Sequence, residues 1–86
     1  MAAAKFQAAM IQMRSGLTPA ANHTAAAKLI TEAKANGADY VQTPEMTNIL
    51  AANAQQLFAA TSDESSDPSL AAFRELAKKL SIYIHI

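Results

Sequence analysis

Thr18-Pro19 and Gly37 bracket a helix that lies between two short apolar runs, and this bracket restricts the fold more than any other feature of the chain. Thr18 reads as an N-cap whose hydroxyl takes an orphan amide, and Pro19 occupies the first helical position, where a missing N–H loses nothing. The helix runs to about Asn36. Gly37 follows because the residue after a helix favours a left-handed backbone, which only glycine adopts freely. Ala26, Leu29, Ile30 and Ala33 recur at i, i+3, i+4 and i+7, an apolar face of short side chains suited to lie close against a sheet.

Before the helix, Phe6 to Met13 is a short, nearly continuous apolar run between Lys5 and Arg14-Ser15-Gly16. Its length and abrupt polar end predict a strand buried on both faces. Gln7 and Gln12 interrupt it, and Gln12 is expected to bond neighbouring loop backbone. After the helix, Tyr40-Val41-Gln42-Thr43 predicts a second strand, closed by Pro44, which restricts Thr43 to extended geometry. Strand, helix and strand in this order form a βαβ unit with parallel strands and, almost always, a right-handed crossover.

Further along, Ala54, Leu57 and Phe58 have helical spacing, which predicts a short helix from about Ala52 to Ala60 capped by Asn48 or Asn53. Thr61 to Ser66 is a polar surface loop. Asp67-Pro68 repeats the cap-plus-proline start, with a carboxylate that suits the positive end of the helix dipole. The helix to about Leu80 carries Leu70, Phe73, Ala77 and Leu80 as its inner stripe, with Leu76 beside them, and Glu75 with Lys79 as an i,i+4 pair. Ser81 to Ile86 alternates Ile82, Ile84 and Ile86 against Tyr83 and His85, a third strand. The expected class is α/β, β-α-β-α-α-β, with the helices on one face of about three strands. The opposite face is then bare, which predicts a partner, a missing remainder of the chain, or aggregation.

Composition narrows the function. Seven basic and seven acidic residues balance, so no global field draws in nucleic acid or an anionic membrane. Arg74, Lys78 and Lys79 read as a solvated helix face. No apolar stretch approaches the ~18 residues needed to cross a membrane. Met1 to Met13 lacks the pattern of a signal peptide, so a cytoplasmic setting is expected. With no Cys there is no thiol nucleophile and no thiolate zinc site. His23 and His85, the two histidines, show no metal-site spacing, and the two glycines form no phosphate loop. Neither a metal nor a cofactor is expected. The serines lack a nucleophile elbow.

Parallel sheets gather functional groups outside the carboxyl ends of their strands. Gln12, Glu45 and His85 fall there, with His85 expected to be a partly buried, hydrogen-bonded imidazole. Glu45, between the Pro44 stop and Met46, is the candidate catalytic group, because partial desolvation there would suit a general base. On spacing alone it is as readily a helix cap or a loop acceptor.

Phe6 to Met13, the helix with Asn22, the Gly37-Ala38-Asp39 turn, Pro44-Glu45-Met46, and Leu76-Ala77-Lys78-Lys79-Leu80 running into Ile82 to Ile86 together resemble the N-terminal part of the nitrilase, or carbon-nitrogen hydrolase, superfamily. The resemblance implies a fragment of an α-β-β-α sandwich, homo-oligomers, and amide or nitrile cleavage by a Glu, Lys and Cys set. In that set the Glu is general base to the Cys, and the Lys stabilises developing negative charge. Glu45 matches the Glu. None of Lys5, Lys28, Lys34, Lys78 or Lys79 stands in the Lys motif, and there is no Cys for Glu45 to activate. The implied substrate of the intact parent is a small-molecule amide, since Gln42 to Asn48 leans toward the amidases. These residues, as the front portion of a longer domain, are expected to be inactive alone. The competing reading is a non-catalytic α/β module that associates through its uncovered sheet face.

Overall fold

The structure is a computed structural model describing residues 5–86. The part of the Met1 to Met13 reading that precedes Lys5 lies outside the described residues. The strands are β1 (Ala8–Met10), β2 (Tyr40–Gln42) and β3 (Tyr83–His85), and the helices are α1 (Pro19–Ala35), α2 (Ala54–Ala60) and α3 (Pro68–Leu80). A 3-10 turn at Glu64–Ser66 precedes α3. The three strands form one parallel sheet in the order β1-β2-β3. This is the expected mixed α/β arrangement of a sandwich fragment.

Two rows run across the sheet. Ala9, Val41 and Ile84 stand in register on one face, and Ala8, Tyr40 and Tyr83 on the other. The first row meets α1 and α3, where Ala26, Ile30, Ala38, Val41, Phe73 and Ile82 form the core. Ile30 and Val41 are fully buried, each contributing about 1.5–3 kcal/mol of transfer free energy. Both crossovers step the same way across the sheet and lay their long helices on the same face, so they share one hand.

The second row faces away from the helices. Phe6 is 73% exposed, Met10 71% and Tyr83 79%. The Phe6 to Met13 run is therefore not a strand covered on both faces. Ala9, Ile11 and Met13 pack against the core, whereas Phe6, Ala8, Met10 and Gln12 are open. The regular strand is also shorter than the apolar run. Its ladder extends from the Gln7 carbonyl, which accepts from Asp39 N at 2.8 Å, to Ile11 N, which donates to Gln42 O at 3.0 Å.

Other local details depart from the sequence reading. Thr18 has the extended backbone of a cap, but its side chain accepts no capping bond. Asp67 does cap α3, accepting from Ser69 N at 2.8 Å and Leu70 N at 3.3 Å. Asn53, rather than Asn48, caps α2 through Gln56 N at 2.9 Å. No residue of α2 is buried, and Phe58 is 76% exposed. The ion pair of α3 is not Glu75 with Lys79: among the described residues, Arg74 meets Glu64 at 3.6 Å, both well exposed and worth little to stability.

The two long helices end alike, with different residues at the critical position. After α1, Gly37 N donates to Lys34 O and Ala38 N to Ala33 O, with Gly37 at φ 98°. After α3, Ser81 N donates to Lys78 O and Ile82 N to Ala77 O, with Ser81 at φ 54°. Ser81 is thus the left-handed helix terminator, not the first residue of a strand. A serine there bears a steric penalty of about 1–2 kcal/mol that glycine avoids. Ser81→Gly is accordingly expected to raise stability by about 0.5–1 kcal/mol, and Gly37→Ala to lower it by at least about 1 kcal/mol. At Gly37 an added Cβ would also lie 2.9 Å from Gln7 Oε1. Urea denaturation followed by circular dichroism checks both, and equal signs for the two would refute the shared terminator.

Candidate active site at the carboxyl end of the sheet

Pro44 ends the β2 ladder, and the chain turns at once through Glu45 and Met46. Met46 takes φ 58°, a left-handed conformation unusual for a residue with a long side chain. The turn is held in place from its inner side. Thr47, buried, sets its hydroxyl 2.7 Å from that of Thr43 and against the Pro44 carbonyl. Thr43 in turn joins β3, its amide donating to His85 O at 2.9 Å and its hydroxyl lying 3.3 Å from the same oxygen.

The neighbouring β1–α1 connection is stitched to this turn. Ser15 Oγ donates to Thr47 O at 2.9 Å, and Leu50 N donates to Gly16 O at 2.9 Å. Asn22, on the first turn of α1, bonds both connections: its Oδ1 accepts from Gly16 N at 2.9 Å, while Nδ2 donates to Gly16 O at 2.8 Å and Asn48 O at 2.9 Å. The helix therefore ties the chain just beyond Glu45, at Asn48, to the β1–α1 connection at Gly16 without bonding Glu45 itself.

A groove of about 710 Å³ opens beside the turn, between Glu45 and Met46, the start of α3 at Asp67 and Ser69, and the end of β3 at His85 and Ile86, with Phe73 in its wall. Glu45 is exposed, so the desolvation expected for its carboxylate is absent. His85 is exposed too, rather than partly buried. It keeps a hydrogen-bond partner, Tyr40 Oη, 3.0 Å from its Nδ1. Gln12 is exposed and does not line the groove. Of the sequence candidates, the fold brings Glu45 and His85 to one cavity and leaves Gln12 out.

The charge of the lining limits its chemistry. Glu45, Glu64 and Asp67 border the groove, and among the described residues no Lys or Arg does. Such walls can accept a proton but offer no cation to a developing oxyanion. One serine has a histidine within reach, with Ser69 Oγ 3.1 Å from His23 Nδ1. Ser69 is only 2% exposed, and the contact ties α1 to α3 rather than presenting a nucleophile. Among the described residues no three His, Asp or Glu side chains converge on a metal position, and no helix is long and apolar enough to cross a membrane.

The residue that motif reasoning passed over as a site component is Asn22. A polar side chain four positions before Ala26 continues the buried stripe Ala26-Ile30, and a buried amide requires partners. That spacing is the signal from which it could have been found.

The family model described as carbon-nitrogen hydrolase matches residues 7–86, spanning both sheet crossovers and the groove. No curated protein gives a significant match to the chain.

Proposed function

Given that this chain belongs to the carbon-nitrogen hydrolase family, we propose that Glu45 is the general base of a Glu, Lys and Cys set that cleaves small amides, in preference to nitriles. The observation that carries this reading is the position of Glu45, one residue past the Pro44 stop of the central strand and on the border of the groove. A thiol with a pKa near 8.5 is mostly protonated at neutral pH and needs an adjacent base to become a strong nucleophile. The missing cation and the missing thiol have to come from residues outside these 86, whose sequence contains no Cys and whose lysines stay clear of the groove. The chain alone is therefore expected to hydrolyse neither amide nor nitrile.

The test is a chimera in which residues 7–86 replace the matching segment of an active carbon-nitrogen hydrolase, assayed with a small primary amide and the corresponding nitrile. Amide turnover that depends on Glu45 supports the reading. Turnover by the isolated chain, or a chimera that prefers the nitrile, would overturn the part concerned.

A second reading is favoured by the open sheet face that carries Phe6, Met10 and Tyr83. Exposed apolar residues grouped on one sheet face mark an interaction surface, and a second copy can cover that face with its own. Light scattering on the 86-residue chain is expected to give a dimer or larger. A monomer at high concentration would remove association through this face.

A further inference from the structure

We propose that Asn22 is the positioning residue of the Glu45 turn, a clasp on α1 that sets where the carboxylate stands at the groove; the consequence for catalysis rests on the reading of Glu45 as the base. The two connections at the carboxyl end of the sheet, one leaving β1 and one leaving β2, both lack regular secondary structure. Their ordering therefore depends on specific bonds. Asn22 is 6% exposed and uses its whole amide group on them. It engages both the N–H and the C=O of Gly16, as a neighbouring strand would, and its remaining donor reaches Asn48 O, three residues beyond Glu45.

These bonds close a circuit. Leu50 N returns from the Glu45 connection to the same Gly16 carbonyl that Asn22 holds, and Ser15 reaches Thr47 O inside the turn. The circuit rests on α1, which Ala26 and Ile30 fix to the sheet through the core. The clasp is thus referenced to the rigid part of the fold, and the turn it holds includes Met46 at φ 58°, which would relax toward ordinary backbone if released. An asparagine suits this position because it combines one acceptor with two donors. Aspartate has the same shape, keeps the acceptor for Gly16 N, and sets an oxygen against the carbonyls of Gly16 and Asn48.

The experiment is amide hydrogen exchange by NMR on the 86-residue chain, comparing Asn22→Asp with Ile30→Val, a core variant that weakens the whole fold. Leu50 reports the clasp through its bond to Gly16 O, and Ile11 and Thr43 report the sheet ladder. In Asn22→Asp, where Gly16 N keeps its acceptor, the Leu50 amide is expected to exchange about 10- to 100-fold faster, well beyond any change at Ile11 and Thr43. In Ile30→Val the ladder amides are expected to change at least as much as the Leu50 amide. Equal acceleration of Leu50, Ile11 and Thr43 in Asn22→Asp would make Asn22 an ordinary stability residue and overturn the proposal, as would unchanged exchange at Leu50. If Asn22→Asp does not fold, Asn22→Ser is read by the same criteria. In the chimera, Asn22→Asp is expected to lower kcat more than it raises KM. A chimera indifferent to Glu45 would refute the catalytic reading while leaving the exchange result to decide the clasp.

Discussion

Glu45→Gln is expected to lower kcat/KM of the amide-cleaving chimera by about 10²- to 10⁴-fold, the usual contribution of a positioned general base. The substitution keeps the shape of the side chain and removes its capacity to accept the thiol proton. Glu45 is exposed, and the bonds that close its turn come from Thr47, Ser15 and Asn22 rather than from its own carboxylate. Folding should therefore change by no more than about 0.5 kcal/mol, as at other unburdened surface positions. The fall should appear chiefly in kcat, because the base acts on the nucleophile instead of anchoring substrate. Steady-state kinetics with a parallel urea titration separates the two effects. Retained turnover in the glutamine variant would exclude Glu45 as the base.

Phe73→Ala is expected to destabilise the isolated chain by about 3–5 kcal/mol. Phe73 is 4% exposed, belongs to the core cluster, and meets the His23 ring edge-on with centroids 6.5 Å apart at 80°. It is the aromatic side chain that fills the angle between α1, α3 and the sheet. A chain of this length has a total stability of about 4–13 kcal/mol, so loss of the ring removes a large share of it. Phe58→Ala serves as the comparison, since Phe58 on α2 is 76% exposed and its removal should change stability by less than about 0.5 kcal/mol. Denaturant midpoints of the two variants check this directly. Similar midpoints would mean that the core is not centred on Phe73.

The order β-α-β-α-α-β was readable because each signal was local: the proline-led starts at Pro19 and Pro68, the glycine stop at Gly37, and the period-2 run at Ile82 and Ile84. What escaped depended on neighbours distant in the chain. The Phe6 to Met13 run is apolar on both sides, and nothing within it indicates that helices cover just one face. Ser81 carries no glycine to announce a left-handed terminator, and its conformation follows from the pairing of Ile82 N with Ala77 O. The exposure of Glu45 follows from a turn pinned on its inner side, through partners as far apart as Ser15 and Thr47. Its location at a strand end was legible from Pro44; its surroundings were not. Asn22 lay on the expected helix, but its partner Asn48 is 26 residues away.

The parallel order of β1, β2 and β3 also governs how the fold can be reached. Contacts across its two junctions span 32 residues between Gln7 and Asp39 and 42 between Thr43 and His85. Among the described residues no hairpin joins two strands, and each junction must bear the entropy of closing a long loop before any ladder bond forms. α1 and α3 can gain helical structure within microseconds, whereas a parallel sheet built on such non-local pairings forms more slowly. Val41 pairs with Ala9 on one side and Ile84 on the other, so β2, and with it the turn that carries Glu45, is enclosed from both sides only once both junctions have formed.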